Sequence, residues 1–449
     1  MKRPYLALAA LIALFLSAII WDQPHTTPET PEMVTIDYWE KWTSFEAEGM
    51  RATVDMFNKK KIKNSKGQVI FCNYLTITQV DRKSLLSIAA NHPPDVAGFW
   101  SFNLHVFADM GALIPLDKYI ERDKIDKDKY MDVFWNGCQH KGHTWCLPST
   151  PATNALHWNK DMFKEVGLDP ERPPRTLEEL KEFSDKLTKP DKDGKPTQMG
   201  FLPVEPGWWN YAWGYFWGGK LNDGMEKITA NDPKNIEAWK YLMGFKKGFK
   251  SEYLLSFAQS FGDAFDSPQN AFMSGKVAMV LQGVWMANFI KFNNPQMNWG
   301  CAPFPSSFDT HGNPFSMADM DVLTIPRGAA HPDEAWELIK FINTTEAMEF
   351  LCASHGKLTP FKTNTPGWIE HQSHPYLRVF IDLARSKNAL VTPKLAVWDE
   401  YKKELTAAFD RVWMDKATPE EALNDVQARM QPKLDRALKV LNQRKDGAE

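Results

Sequence analysis

The sequence predicts an α/β protein built around a parallel sheet, and three observations support this prediction. The 449 residues are 43% hydrophobic and 24% charged, which is the composition of a globular protein with enough apolar material for a core. Short apolar runs alternate with segments of helical periodicity through the first hundred residues. This alternation is typical of parallel strands joined by crossover helices. The length indicates two or three domains.

The N-terminal elements follow one another in a β-α-β-α-β order. Residues 34–39 alternate between apolar and polar side chains, which predicts a first strand. Apolar residues then recur at helical spacing over 45–58, so a helix follows. The pattern repeats with a strand over 68–75, a helix over 81–90 and a strand over 96–100.

The later elements are predicted from the same periodicities and from turn residues. Residues 131–145 predict a strand, a turn and a strand. Thr176 and Glu179 form a capping-box pattern at the start of a helix that runs to Lys189. The remaining predicted strands are 155–158, 277–281, 297–302 and 322–325, and the remaining predicted helices are 159–166, 235–250, 267–273, 332–343, 400–413 and 419–442.

Charge and motif content exclude several classes of function. Lys and Arg number 53 against 56 Asp and Glu, a net charge of -3, so nucleic acid is not predicted as a partner. The G-x-S-x-G, H-E-x-x-H and P-loop motifs do not occur in the sequence. The unusual feature is the aromatic content of 18 Trp and 28 Phe, because several Trp residues lie in polar, Gly-rich contexts that are unusual for a core.

The first 32 residues predict export. Lys2 and Arg3 precede an uncharged, apolar run from Tyr5 to Trp21, and a Pro-rich polar linker follows. Two alternatives stay open: a cleaved signal peptide, or an uncleaved helix that tethers the protein to the membrane. The run has no clear small-residue cleavage site, and its length is short for a membrane span. Either alternative places the working domain outside the cytoplasm, in the periplasm or at the cell surface.

Five cysteines occur in the chain, and two of them are predicted to form a disulfide. Cys138 and Cys146 flank a Lys-Gly turn that would place them on neighbouring strands, and exported proteins fold under oxidising conditions. A zinc site made by these cysteines with His140 and His143 is the alternative. Its ligand spacing matches no common zinc signature, so no metal is predicted.

Several motifs, taken in order, resemble the extracellular sugar-binding proteins of bacterial ABC importers, a maltose-binding-protein-like family. The resemblance runs from about residue 35 to about residue 363. It is carried by IAANHPPDV at 88–96, GALIPLD at 111–117, CLP at 146–148, ALHWNKDMFKEVGLD at 155–169, PPRTLEEL at 173–180, AFMSGKVAM at 271–279 and APFP at 302–305.

The resemblance implies a two-lobe periplasmic-binding-protein fold with a hinge, in which both lobes are discontinuous in sequence. The N-lobe would comprise 33–149 and 304–354, and the C-lobe 150–303 and 355–449. A sugar or oligosaccharide would bind between the lobes, close them, and be delivered to an ABC permease without catalysis or a cofactor. Proteins of this family are usually monomers. The alternatives to an import protein are an exported glycoside hydrolase or other carbohydrate enzyme, and a binding protein that serves a sensor.

The candidate ligand-binding residues combine aromatic faces for the C–H patches of a sugar with polar groups for its hydroxyls. Trp42 and Glu46 follow the first predicted strand, and Trp100 and Asn103 follow the third, at the sheet edge where α/β proteins bind ligands. By resemblance, these loops face the cleft. The other candidates are Glu205, Trp208 and Trp209 in a polar turn, Trp285 and Trp398 at positions similar to sugar-stacking residues of the family, and Asp319.

The chain departs from the family pattern at two places. Met317 to Asp321 stand where the family often has two glycines, so the ligand cannot be inferred from relatives. The lipid-attachment cysteine usual in Gram-positive members does not occur between residues 17 and 32.

Overall fold

The fold is taken from a computed structural model that describes residues 31–261, 266–308 and 312–446. The predicted signal peptide or anchor over residues 1–21 lies outside the described residues. Among the helices of the described part, none combines the length and the apolar character that a membrane span requires.

The strands agree with most of the predicted ones and extend two of them. They are β1 (Met33–Glu40), β2 (Val69–Thr76), β3 (Val96–Trp100), β4 (Gln139–His140), β5 (His143–Thr144), β6 (Leu147–Asn159), β7 (Lys189–Pro190), β8 (Pro196–Phe201), β9 (Asn222–Asp223), β10 (Lys227–Ile228), β11 (Val277–Gly283), β12 (Trp299–Ala302), β13 (Ser316–Thr324) and β14 (Ala389–Leu390).

Helices cover both faces of the sheet. They are α1 (Ser44–Lys60), α2 (Val80–Ala89), α3 (Leu104–Asp109), α4 (Asp117–Arg122), α5 (Asp132–Gly137), α6 (Lys160–Glu165), α7 (Leu177–Leu187), α8 (Pro233–Met243), α9 (Ser251–Gln259), α10 (Met286–Asn293), α11 (Pro332–Ile342), α12 (Thr345–His355), α13 (Leu377–Arg385), α14 (Trp398–Trp413) and α15 (Pro419–Asp446). Four short 3-10 helices occur at Ser101–Asn103, Lys127–Lys129, Trp213–Trp217 and Gly244–Lys246.

Most strands join one mixed sheet, in the order β2-β1-β3-β13-β6-β11-β8-β7. β1 pairs in parallel with β2 and with β3, which confirms the predicted parallel β-α-β-α-β start. β13 is antiparallel to β3 and to β6, whereas β11 is antiparallel to β6 and parallel to β8. The sheet therefore has a parallel portion at the β2 end and a second parallel pair, β11 and β8, towards the other end, where β7 adds an antiparallel edge strand; the strands between these portions are antiparallel.

Two long strands connect the ends of this sheet. β6 pairs with β13 through residues 147–153 and with β11 and β12 through residues 154–159. All but the last of its 13 residues are buried. Because one continuous strand serves both halves of the sheet, the chain passes from one lobe to the other along β6 and back along β13.

Separate apolar cores fill the two halves. In the N-lobe, β1, β2, α1, α11 and α12 enclose a core that includes Ile36, Phe57 and Trp336. In the C-lobe, a larger core includes Trp239 and Phe409. A third core at the middle of the sheet contains residues of both lobes. These cores agree with discontinuous lobes, while the boundaries at residues 149, 303 and 354 stay a prediction.

Two local predictions were wrong. Residues 132–137 form the helix α5 rather than a strand, and only the short β4–β5 hairpin follows it. Residues 267–273 form turns rather than a helix. The capping box at α7 is partial: Thr176 accepts from the N–H of Glu179 at 3.2 Å, but Glu179 accepts from the N–H of Arg175 at 2.8 Å.

The predicted disulfide between Cys138 and Cys146 is also wrong in this structure, because both cysteines are free and buried. Lys141 and Gly142 adopt positive φ of 49° and 82° at the predicted hairpin turn, and the thiols of Cys138 and Cys146, which flank the two short strands, are in hydrogen-bonding contact. Burial raises the pKa of the Cys146 thiol well above its usual range.

Candidate functional site

The first part of the site lies where β1 ends and α1 begins. The Lys41 ammonium lies 3.9 Å from the ring centroid of Trp42, and the Lys357 ammonium lies 4.2 Å from it. His355 contacts the same ring edge-on at 5.2 Å. Trp42 is only 8% exposed, so its ring is engaged by protein cations rather than presented to a ligand.

Five charged side chains, which we call the lysine cluster, surround Trp42; they are Glu40, Lys41, Glu46, Asp321 and Lys357. Lys41 contacts Asp321 at 2.6 Å and Glu40 at 3.2 Å. Lys357 contacts Glu46 at 3.0 Å and Asp321 at 3.7 Å. Burial opposes the charge on Asp321, but the two lysines outweigh it and lower the pKa of its carboxyl.

Trp100 and Asn103, at the end of β3, lie beside this cluster and differ in their contacts. Trp100 is 38% exposed, stacks on Phe102 with a centroid distance of 5.8 Å, and lies 5.0 Å from the Lys41 ammonium. It therefore offers an open aromatic surface. Asn103 donates its amide to Asp81 of α2 at 3.3 Å, so it is engaged within the N-lobe.

Asp319 connects the two lobes through its hydrogen bonds and charge. It accepts from the hydroxyl of Ser101 and from the N–H of Met320 at 2.8 Å. Burial raises the pKa of its carboxyl to about 6. The positive charge of Lys402 on α14 acts in the opposite direction, and its ammonium lies 4.6 Å from the ring of Phe102.

Three tryptophans of the C-lobe form what we call the indole cluster: Trp208, Trp209 and Trp285. The centroid of Trp285 lies 6.1 Å from that of Trp208 and 6.5 Å from that of Trp209. Trp209 donates its Nε1–H to the carbonyl of Leu281, and Trp285 donates to Oε1 of Gln282, both at 3.2 Å. The indole nitrogens of Trp209 and Trp285 are thus tied to β11, their rings stack on each other, and Trp208, which is 36% exposed, is the open edge of the cluster.

Backbone features fix the indole cluster in place. The ring of Trp285 lies on Gly283, where a Cβ would approach the ring within 2.4 Å. Trp208 follows a cis Glu205-Pro206 bond and Gly207 at φ +85°, and its side chain is 36% exposed. Burial raises the pKa of the Glu205 carboxyl to about 7.

The structure places Trp398 differently from the other candidates. It is 1% exposed and lies in the C-lobe core, edge-on to Tyr211 at 5.4 Å and to Tyr401 at 5.9 Å. Burial raises the pKa of the Tyr211 hydroxyl, and the negative charge of the nearby Asp319 raises it further. Trp398 therefore belongs to the C-lobe core in this structure, and its predicted role in ligand binding stays a prediction.

Contacts between the lobes bring the two aromatic groups towards each other. Phe45 of α1 contacts Phe289 of α10, the helix that follows Trp285, at 6.2 Å. The amide of Asn288 on the same helix lies within 2.9 Å of the Cβ position of Gly356, next to Lys357. The structure thus groups Trp42, Glu46 and Trp100 in one lobe, and the indole cluster in the other, with Asp319 on the strand between them.

Lys41, Lys357, Asp321 and Lys402 were missed by the sequence-based prediction. Lys41 directly follows the first predicted strand, a position that could have identified it. Asp321 lies two residues after Asp319 and therefore shares its face of β13. Nothing near Lys357 or Lys402 in sequence indicates a role, because their partners are distant in the chain.

The alternative zinc site does not form. His140 contacts Asp109 at 2.8 Å, and His143 contacts Asp117 at 2.9 Å. Across residues 31–261, 266–308 and 312–446, no group of three or more His, Cys, Asp or Glu side chains is arranged to hold a metal ion.

Comparison with known proteins identifies the class. The model of a family described as bacterial extracellular solute-binding protein matches residues 52–371, so the chain belongs to this family. This confirms the predicted family and its location outside the cytoplasm. The fold is also confirmed: a solved structure, CpMnBP1 with mannotriose bound, is 27% identical, has a TM-score of 0.75, and aligns over 88% of this chain and 99% of its own.

Two relatives show that the family handles chemically different ligands. The maltotriose-binding protein of Pyrococcus abyssi is 24% identical over 58% of this chain and 52% of its own length. The sn-glycerol-3-phosphate-binding periplasmic protein of Pectobacterium atrosepticum is 27% identical over 38% of each chain. Family membership therefore leaves the charge of the ligand open.

Proposed function

We propose that the protein binds a mono- or oligosaccharide between its lobes and delivers it unchanged to an ABC permease in the membrane. The observation that carries this proposal is the indole cluster, in which two separate segments place three ring faces beside one another. Aromatic faces of this kind suit the apolar C–H patches of a sugar. The bound mannotriose of CpMnBP1 and the name of the maltotriose-binding relative support a carbohydrate.

Hydroxyl groups of the sugar would find partners on both lobes. Asp319 and Glu205 supply carboxyls, and the lysine cluster supplies ammonium donors at the N-lobe edge. A ligand that contacts both lobes binds the closed form better than the open form and shifts the population towards it. Closure about β6 and β13 would then present one shape to the permease.

The proposal includes no catalytic step. Glycoside hydrolysis uses two carboxyl groups, one of which acts as a nucleophile or base. Asp319 and Asp321 have pKa values shifted in opposite directions, as such a pair would. However, Asp321 is enclosed by Lys41, Lys357 and the hydroxyl of Thr150, which donates to it at 2.7 Å. These contacts engage its oxygens in the protein, which supports a structural role.

The same proposal includes export directed by the first 32 residues and a monomeric state. Residues 1–21 would then either be cleaved or tether the protein to the membrane. Delivery to a permease is supported by the family of extracellular solute-binding proteins to which the chain belongs and by its relative from an ABC transporter of Pyrococcus horikoshii. Mass spectrometry of the mature protein would show whether residues 1–21 are retained.

Titration calorimetry against a sugar panel tests the proposed function. The panel should include mannotriose, maltotriose, their disaccharides and the parent monosaccharides. We expect saturable binding of at least one sugar at a 1:1 ratio, and chromatography should recover that sugar unchanged. Hydrolysis of a sugar by the protein during the titration would contradict the proposal. Failure of every carbohydrate in the panel to bind would contradict it as well.

A further inference from the structure

We propose that Asp321 sets the charge specificity of this site, so that it accepts uncharged sugars and rejects phosphorylated ones. The inference rests on the proposed function and deepens it by naming the charge class of the ligand. The charge of the ligand is open, because relatives of this chain include both a maltotriose-binding and a glycerol-3-phosphate-binding protein.

Asp321 lies between two buried lysines. Its Oδ1 lies 2.6 Å from the Lys41 ammonium and its Oδ2 lies 3.7 Å from that of Lys357. The exposed fractions of these three side chains are 6%, 6% and 4%. The carboxylate of Asp321 thus contacts the ammonium groups of both lysines.

The cluster as a whole carries an excess of negative charge. Lys41 and Lys357 contribute two positive charges, whereas Glu40, Glu46 and Asp321 contribute three negative charges, which leaves a net charge of -1. In the low-dielectric interior a phosphate dianion would be repelled by this excess. An uncharged hydroxyl would not be, because it can accept from an ammonium and donate to a carboxylate.

The remaining groups at the site do not reverse this charge. Burial lowers the pKa of Lys402, although the charge of the nearby Asp319 acts in the opposite direction. Glu205 adds a further carboxyl. Lys394 and Ser101 both line a small cavity. The Lys394 ammonium donates to the carbonyls of Asn136 and Gln139, and burial lowers the pKa of this lysine.

Matched pairs of ligands test the inference directly. Calorimetry on the full-length protein at low ionic strength should compare mannose with mannose 6-phosphate, maltose with maltose 1-phosphate, and glycerol with glycerol 3-phosphate. We expect the phosphorylated member of any pair that binds to be weaker by about tenfold or more, which is about 1.4 kcal/mol. Equal or tighter binding of a phosphorylated member would overturn the inference while leaving sugar binding intact.

Variants that change the cluster charge in steps make the test quantitative. Asp321→Asn and Glu46→Gln each bring the net charge to zero, and the double variant brings it to +1. We expect the preference for the uncharged ligand to shrink stepwise by about fivefold to tenfold per charge. Glu171→Gln, which removes a carboxylate that is 72% exposed, is the matched control and should leave the preference unchanged.

The outcomes separate the inference from the proposed function. If Asp321→Asn fails to fold, Glu46→Gln still removes one charge from a side chain that is 18% exposed. Folded variants that keep the wild-type preference would overturn the role of the cluster charge. If neither plain nor phosphorylated sugars bind, the proposed function fails and the inference fails with it.

Discussion

Exposure separates tryptophans that can stack on a ligand from those that fill the core. Trp100 and Trp208 are 38% and 36% exposed, whereas Trp42 and Trp398 are 8% and 1% exposed. All four occur in similar polar or Gly-rich contexts in the sequence, so local sequence identified them equally well. What distinguishes them is tertiary: Lys357 contacts Trp42, and Tyr401 contacts Trp398.

Replacing Trp285 should weaken sugar binding without unfolding the protein. Trp285→Ala removes the ring that joins Trp208 and Trp209, and we expect an affinity loss of about fivefold, from about 1 kcal/mol of stacking energy. Trp285→Phe keeps an aromatic face and should retain most of the affinity. The measurement is calorimetry with the tightest sugar of the panel. Unchanged affinity in a folded Trp285→Ala variant would exclude this ring from the site.

Glu205 should make stability depend on pH in a defined window. Its pKa is raised from 4.5 to about 7 by burial, so the folded protein binds the proton more tightly than the unfolded chain. The free energy of unfolding should therefore fall as the pH rises from about 4.5 to about 7, by roughly 3 kcal/mol at most, and not change further from this group at higher pH.

Urea unfolding between pH 4 and pH 8 checks this expectation. Glu205→Gln should reduce the slope of stability against pH between pH 5 and pH 7, and Asp319, with a pKa of about 6, should account for part of the slope that remains. Glu171→Gln again serves as the control. An identical pH profile for the wild type and Glu205→Gln would contradict the buried, raised-pKa carboxyl.

Among the elements, β13 shows what a sequence pattern can and cannot predict. The apolar run 322–325 identified its end, but the strand begins at Ser316 and carries Asp319 and Asp321 in its middle. Carboxylates within a buried strand break the apolar pattern, and only their lysine and serine partners from other segments make this burial tolerable. Helix α5 was mistaken for a strand because Val, Phe and Trp also favour strands.

The packing of α7 on β8 depends on a glycine. A Cβ at Gly200 would lie 2.2 Å from the carbonyl oxygen of Ser184 and 2.4 Å from its Cα, and neither backbone atom can move independently of the helix. Gly200→Ala should therefore destabilise the protein by about 3 kcal/mol or more, as overpacking does.

Thermal or urea unfolding measures the effect, and a nearby glycine provides the comparison. At Gly244 an added Cβ would meet only the flexible Lys181 side chain at 3.4 Å, so Gly244→Ala should change stability by about 1 kcal/mol at most. Similar stabilities for the two variants would mean that α7 does not pack on β8 as described.

At the scale of the whole molecule, the order of motifs predicted the family and the two-lobe fold, while the centre of the N-lobe site could not be predicted. Parallel strands and amphipathic helices leave local patterns that one sequence displays. The position after the first strand indicates Glu46 and could have indicated Lys41. The contacts of the lysine cluster, however, leave no local pattern, because Lys41, Asp321 and Lys357 come from three distant segments that meet only when the sheet forms.

A crystal structure of the complex with the tightest-binding sugar of the panel would show whether one ligand joins the two lobes. We expect a sugar ring stacked on the indole cluster, with hydroxyls bonded to Asp319 or to the lysine cluster, so that one ligand contacts both lobes. A sugar bound to one lobe alone, or at a surface distant from Trp285, would contradict it.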